Sequence, residues 1–591
     1  MTIAALKADV AEPTVAPGSA DVAALVAAKL RCVAPMIAVY LTVYLGLSIL
    51  CGFAKPLLAT KMLGPVNLGF ALIVLNYLVA WVLAVIYARV ASRGHDPLVH
   101  RDCGQKKSQR HRTMNGITIG ICPPRKNRSP CVAGDWCSAA AFLGFTGLTA
   151  LYGMDGALYA IGPLVAFCTV LLIIAEPLRN TGTYTLGDVI HYRMKRPPAL
   201  AAAVLGTIVI NLAYMVPQMA GGGVLLKLLF GLPYDVFVVL VGLGMIVYVA
   251  AGGMLATSWV QIVKAVLLLS AGAIVLLMAL WQIGFDPLIF FSADEARYGP
   301  SFLLPGNLLK NPWDEVSLGL GYALGLAGLP HVMTRFYTVP DAKTARRSVV
   351  WVMFLAGAFF ACTTIFGLAA AHFVGQDAIR AADRGGNLTL PLLAQYLGGG
   401  RGSAGGEIML AFIAAVAVAT IIAVVAGLTL ATSGAIAHDL YVNLIRKGNV
   451  HERAQVMAAR ITAITVGIVA TLLGILAEGV NVAVLVILAI CIAASANFPV
   501  LALSLFWRRF NTGGVIGGMG LGLISSVGLG LIGPAFLGKY ALWPLVNPTV
   551  VALPLGIFGA VLRTLIAGRN EAHERRFDEV MFRVHTGVRS P

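Results

Sequence analysis

The sequence predicts an all-α membrane protein with about 14 transmembrane helices, its core made of two inverted sets of five. Three observations carry this. The 591 residues are 59% hydrophobic and only 12% charged, about half the charged share of a soluble chain. Apolar runs long enough to cross a bilayer as helices recur to the end of the chain. Basic residues gather in alternate loops between those runs.

The elements follow in order. Residues 1–30 are rich in Ala and Pro and carry Asp9, Glu12 and Asp21 ahead of any apolar run. They read as a cytoplasmic tail with a short helix near Ala23–Leu30, and not as a secretory signal. Spans at Val33–Phe53 and Asn67–Val90 form a two-helix membrane domain over residues 31–99. Residues 100–131 are a basic, atypical linker. Ten spans form a core domain over residues 132–507. Five are Val132–Tyr152, Gly156–Ala175, Ala199–Phe230, Val236–Ala251 and Ser258–Ile283. The other five are Ser317–Phe336, Val349–Phe373, Glu407–His438, Ile461–Ala477 and Val480–Phe506. Gly513–Ile532 and Val546–Ile566 are two accessory helices within residues 508–568, and 569–591 is a second cytoplasmic tail.

Charge orients the spans. Arg179, Arg193, Lys195 and Arg196 follow the fourth span, and Arg335, Lys343, Arg346 and Arg347 the eighth. Arg446, Lys447 and Arg453 follow the tenth, Arg508 and Arg509 the twelfth, and Arg569, Arg575 and Arg576 the last. If the spans alternate, all of these face one side, which is then the cytoplasm, with both termini inside. The loops Gly284–Asp314 and Gly375–Gly406 face outward. Five is odd, so the second set of five is inverted relative to the first. The net charge of +17 is accounted for by these loops and gives no reason to expect nucleic acid.

The first span of each set is interrupted by small and polar residues, over Val132–Gly156 and Ser317–Phe336. Paired broken spans in matching positions are the sequence mark of a transporter built from inverted repeats, with substrate and ion sites where they unwind. Asp135 lies near the start of the first. A carboxylate at membrane depth marks an ion or proton path; in the headgroup zone it would be merely solvated. Ser138 and Thr146 share that span, and either could bond its own backbone instead. Asn211, Tyr214 and Gln218 form one polar stripe on an apolar helix, as helix glue or as the lining of a substrate cavity. Gly221–Gly223 just beyond it lets another backbone approach. The Gly-x3-Gly spacings in Gly513–Gly522 allow close helix packing, within the protomer or across a homodimer; the sequence leaves monomer or dimer open. Gly533–Tyr540 resembles a phosphate loop on paper, but it lacks the Ser or Thr after Lys539 and follows no strand. Nothing else suggests nucleotide hydrolysis, so transport is gradient-coupled or passive. The nine cysteines show no Cys-x2-Cys pair and give no zinc motif.

Several motifs resemble the solute:sodium symporter family. Tyr248–Ala256 (Y-V-A-A-G-G-M-L-A) is similar to its signature, and the nearer likeness is to the cation/acetate permease branch, which carries short monocarboxylates. Ala133–Gly144, Gly252–Lys264, Ala327–Phe336, Ala423–Leu430 and Ala493–Pro499 match that branch. The likeness runs from Val132 to the C-terminus. The first two spans, with Ala59–Met62 and Asp96–Leu98, resemble the small two-helix membrane protein often encoded beside these permeases, here fused in front. The resemblance implies a leucine-transporter-like fold, no enzymatic activity and no cofactor beyond sodium or a proton as coupling ion. It puts Asp135 at a position that matters for sodium in related proline permeases, and Tyr322 where they have a substrate-contacting aromatic. It implies a sodium site of carbonyls near Gly134 and Cys137 with hydroxyls on the eighth core helix.

Two departures stand out. Ala423 and Val424 occupy positions where sodium-coupled relatives have paired hydroxyls, and Thr420, one turn earlier, is the nearest oxygen. Proton coupling through Asp135 therefore rivals sodium. Residues 100–131 replace a further helix that the family has before its core. That is what a compensated reading-frame error would leave; a genuine cytoplasmic linker is the alternative. The reading that results is a bacterial inner-membrane, multi-pass symporter for a small monocarboxylate such as acetate. Its partners are membrane lipid and that solute. Ser138, Asn211, Tyr214, Gln218 and Tyr322 are expected at the substrate, and Gly134, Asp135, Cys137 and Thr420 at sodium. A symporter of another solute, proline-like or sugar, and a non-functional product of a gene damaged around residues 100–131 are the alternatives.

Overall fold

The computed structural model describes residues 19–95, 138, 140–181, 186–194, 196–337, 339, 341–446 and 451–586. Among these, 11 helices are long and apolar enough to cross a membrane, and a bent pair makes a twelfth. Two shorter apolar helices, Ala141–Tyr152 and Tyr234–Val247, stand where the sequence predicts two further spans. The first is short because its expected start lies outside the described residues. The linker, Gly134, Asp135, Cys137 and the short cysteine cluster from Cys103 to Cys137 also lie outside them.

Helix α1 (Ser19–Phe53) joins α2 (Leu68–Val90) through a small hairpin of Lys61–Leu63 and Val66–Asn67. The predicted short helix near Ala23–Leu30 is not separate; it runs on through Pro35 into the first span. Asn67 is a cap, not part of the helix, and its side chain accepts from the Phe70 N–H at 3.0 Å. Such caps satisfy the first-turn N–H groups that no helix can satisfy internally.

The core begins with α3 (Ala141–Tyr152), α4 (Met154–Thr181), the short α5 (Leu186–Met194), α6 (Pro197–Phe230) and α7 (Tyr234–Gln282). Outside the first set lies α8 (Leu288–Tyr298). The second set opens with α9 (Pro312–Gly325) and α10 (Pro330–Tyr337), followed by α11 (Ala342–Phe373) and α12 (Ala404–Ile445). It closes with α13 (Glu452–Ile475), α14 (Val482–Ser495) and α15 (Asn497–Phe506). Asp341, Ser403 and Asn481 cap α11, α12 and α14. The apolar stretches of α4 and of Val482–Phe506 are 94% buried, against 28% for Arg453–Ile475, so α4 and α14 are central and α13 is peripheral.

The two predicted spans Val236–Ala251 and Ser258–Ile283 are joined by continuous helical backbone in α7. A straight helix of its 49 residues would be about 74 Å long, over twice a hydrocarbon core of about 30 Å. Its contacts show that the helix does not run straight. Met245 Sδ lies 3.6 Å from Thr429 Oγ1, and Gln261 Nε2 donates to the Ala423 carbonyl at 3.0 Å. Those two partners are less than about two turns apart on α12. The helix therefore bends between Met245 and Gln261, with Tyr234–Val247 and Val263–Gln282 as its two apolar stretches.

The inversion is visible in one crossing. Asn211 of α6 bonds Thr432 of α12, and Gly222 faces Ile421. Moving forward along α6 means moving back along α12 by the same number of residues. These are the third helix of one set and the third of the other.

Behind α15 lie α16 (Thr512–Leu531), α17 (Thr549–Ile566) and the amphipathic α18 (Glu571–Thr586). A Cβ on Gly517 would stand 2.4 Å from the Gly559 carbonyl oxygen, and one on Gly522 2.3 Å from that of Ser495. These glycines pack the protomer against itself. On the basic face, the buried Arg193 guanidinium donates to the carbonyls of Ser504 (2.5 Å), Trp507 (2.8 Å) and Arg508 (2.7 Å), closing the end of α15; burial pushes its pKa down to about 10.

Candidate functional site

The second broken span is the centre of the site. Pro312–Gly328 and Pro330–Phe336 meet at an angle of 47°. A 3-10 turn over Leu326–Gly328 leads to Leu329, whose backbone is extended (φ −77°, ψ 117°). Pro330 then opens α10, where its missing N–H costs nothing. The glycines make the break possible by letting backbone lie on backbone. A Cβ on Gly325 would stand 2.3 Å from the Ile490 carbonyl oxygen, and one on Gly328 2.5 Å from that of Ala493. The freed carbonyl of Gly328 accepts from Asn497 Nδ2 at 2.9 Å.

Tyr322 is fully buried in the last two turns of α9. Its ring lies flat against Gly162 of α4, where a Cβ would be 2.2 Å from Cδ2. Its hydroxyl has no hydrogen-bond partner. The stripe Asn211, Tyr214, Gln218 is buried along α6. Asn211 Nδ2 donates to Thr432 Oγ1 at 2.9 Å, so it joins α6 to α12. Tyr214 packs on His331 of α10, with ring centroids 4.8 Å apart. Gln218 is 0% exposed, and neither its amide nitrogen nor its oxygen finds a partner. Buried side-chain polar atoms are normally satisfied, so this amide is the strongest pointer to a ligand among the predicted residues.

Ser138 is buried, and its Oγ accepts from the Ala141 N–H at 3.3 Å. That is the geometry of a helix cap at the start of α3. Thr146 donates to the Phe142 carbonyl at 2.9 Å, within its own span. Thr420 is also buried and donates to the Val416 carbonyl of its own helix at 2.7 Å. Beside it, Ala423 and Val424 are buried and apolar. The structure thus joins Tyr214 to the broken span directly, sets Tyr322 within that span, and leaves Ser138 and Thr420 bonded locally.

His331, Asn497 and Gln261 belong with this site and were not among the predicted site residues. His331 follows the Pro that restarts the helix, which is a legible signal, and its Nδ1 has no partner. Asn497 and Gln261 act on backbone carbonyls far away in sequence, which no local pattern reveals. Among the described residues, Asp188, His438 and Asp439 have ligand atoms within 4.8 Å of one another, joining α5 to the last part of α12.

Comparison with known proteins agrees with this geometry. Residues 128–522 match the sodium:solute symporter family, and residues 18–101 match a family of proteins of unknown function, DUF485. An uncharacterized symporter, YwcA of Bacillus subtilis, is 46% identical over 468 residues, covering 77% of this chain and 90% of that protein. A monocarboxylic acid transporter of Corynebacterium glutamicum is 41% identical over 486 residues, covering 77% of this chain and 87% of that protein. The solved structure of a Na+-coupled sialic acid symporter, substrate-bound and outward-open, is similar in fold over 85% of this chain and 98% of its own, with a TM-score of 0.59 and 14% identity. The fold is the leucine-transporter-like one that the sequence predicts.

Proposed function

The chain belongs to the sodium:solute symporter family, and on that premise we propose that it carries a small monocarboxylate such as acetate by symport with sodium or a proton. Its place is the bacterial inner membrane, with the basic face in the cytoplasm. The observation that carries the reading is the buried start of α10 at the break after Gly328. A helix N-terminus presents unpaired N–H groups and a positive dipole end, which favour a carboxylate without a buried Arg. The Gln218 amide and the Tyr322 hydroxyl, both buried and unpartnered, supply further hydrogen bonds. The 41% identity to a monocarboxylic acid transporter supports the substrate class.

Coupling divides between two sets of groups. Sodium would draw on carbonyls near Gly134 and Cys137 with the Thr420 hydroxyl, whose oxygen lone pairs can coordinate a cation while its O–H donates to Val416. A proton would use Asp135. Uptake of radiolabelled acetate into proteoliposomes, with sodium and proton gradients imposed separately, tests the reading. One gradient should drive accumulation above equilibrium. Uptake indifferent to both gradients would make the protein a facilitator, and no uptake would remove the substrate assignment.

A further inference from the structure

The N-terminal two-helix unit is fastened to one part of the core. Among the described residues, helices α1 and α2 pack on α4, α9 and α11, and make no substantial packing with α6, α7, α12 or α13. The approach to α9 is at backbone range. A Cβ on Gly319 would stand 2.5 Å from Ser48 Oγ, and one on Gly52 2.6 Å from the Pro312 carbonyl oxygen. At one end of α1, buried Lys29 pairs with Glu176 of α4 at 2.5 Å, and Glu176 pairs with Arg346 of α11 at 2.9 Å. Trp81 of α2 donates to the Met353 carbonyl of α11 at 2.8 Å.

Between these anchors runs a buried hydroxyl relay. Tyr40 of α1 bonds the Thr169 hydroxyl of α4, and Thr169 donates to the carbonyl of Ala323. Ala323 lies in the last turn of α9, where carbonyls lose their helical partners. The relay therefore ends one residue past Tyr322 and just before the break.

We infer that the two-helix unit moves as one body with α9, and that Tyr40 is a positioning residue that fixes the last turn of α9 through Thr169. The inference rests on the symport reading above. Alternating access in inverted-repeat transporters is largely one bundle of helices rocking against the rest, and such a bundle can draw helices from both repeats. Helices in backbone contact, with close-packed side chains around them, resist sliding past one another. Motion is then left to the Leu326–Leu329 turn and to the surfaces facing α6 and α12.

The test uses the full chain in proteoliposomes. Ser48→Cys with Gly319→Cys, oxidised to a disulfide, should leave wild-type-like acetate uptake within about twofold, since a body cross-linked to itself keeps its motion. A disulfide that stops uptake, with recovery on reduction, overturns the inference. Tyr40→Phe removes one hydrogen bond and should lower maximal uptake about fivefold with little change in KM or in thermal midpoint. Unchanged maximal uptake in that variant overturns the positioning role. Absence of uptake in the wild type overturns the symport reading and this inference together; wild-type uptake that the disulfide abolishes overturns the inference alone.

Discussion

Tyr214 and His331 pack ring against ring across the break, their centroids 4.8 Å apart with a 55° tilt. One comes from the polar stripe of α6 and the other from the restart of the broken span. The contact therefore reports directly on how the half-helix is held.

His331→Ala should lower uptake about tenfold, the scale of losing one aromatic pair and its packing. His331→Phe should restore the thermal midpoint but not uptake, because Nδ1 of His331 is the unpartnered atom. Full uptake in the Phe variant would reduce His331 to packing. Uptake kinetics and a melting curve on the same preparation decide it.

Gln218→Leu should separate stability from function. Leaving a buried amide without partners costs about 1–3 kcal/mol, so its removal should hold or raise the thermal midpoint. Uptake should fall by about tenfold or more if the amide meets substrate. A lower midpoint with normal uptake would make Gln218 a structural residue.

Gly162→Ala should cost about 1–3 kcal/mol by overpacking, because the new methyl meets the Tyr322 ring. The double variant with Tyr322→Leu should recover stability but not uptake. Non-additivity of the two substitutions in melting experiments is the expected sign of contact. Strict additivity would show that the ring can move aside.

The outer helix α8 predicts a pH dependence. Asp294 is buried there without a hydrogen-bond partner for either oxygen. Burial pushes its pKa up to about 8, against a small lowering by Arg297. The fold thus holds a proton that the unfolded chain releases near pH 4. Stability from this group is full below that value and is lost as pH rises through about 8. Asp294→Asn should flatten the fall of the thermal midpoint between about pH 4 and 8. A wild-type midpoint flat over that range would sink the assignment.

Asp135→Asn should abolish coupled uptake at normal expression if the sequence reading of Asp135 as a carboxylate on the first core span holds, since a carboxylate at membrane depth is costly unless used. Uptake within about twofold of wild type would return Asp135 to the solvated headgroup zone.

Much of the architecture was legible because lipid imposes a simple rule. Apolar runs must close their own hydrogen bonds as helices, so span after span from Asn67–Val90 to Val546–Ile566 could be read off, and odd-numbered sets gave the inversion. What escaped was long-range. Asn497 reaching Gly328, Gln261 reaching Ala423 and Tyr40 reaching Ala323 through Thr169 join residues that share no helix period. The continuity of α7 escaped for a different reason: one span reads as ending at Ala251 and the next as beginning at Ser258, yet the backbone stays helical between them.

The head-to-tail crossing of α6 with α12 has a thermodynamic corollary. Asn211 with Thr432 and Gly222 with Ile421 stand at positions related by a swap of the two repeats, one a hydrogen bond and the other an apolar contact. Such a difference can bias how long the scaffold stays open to one side, but not the direction of net flow. Net flow is then dictated by the electrochemical potentials at its two ends, and vesicles loaded with solute and placed in an inverted gradient should empty through the same route by which they fill.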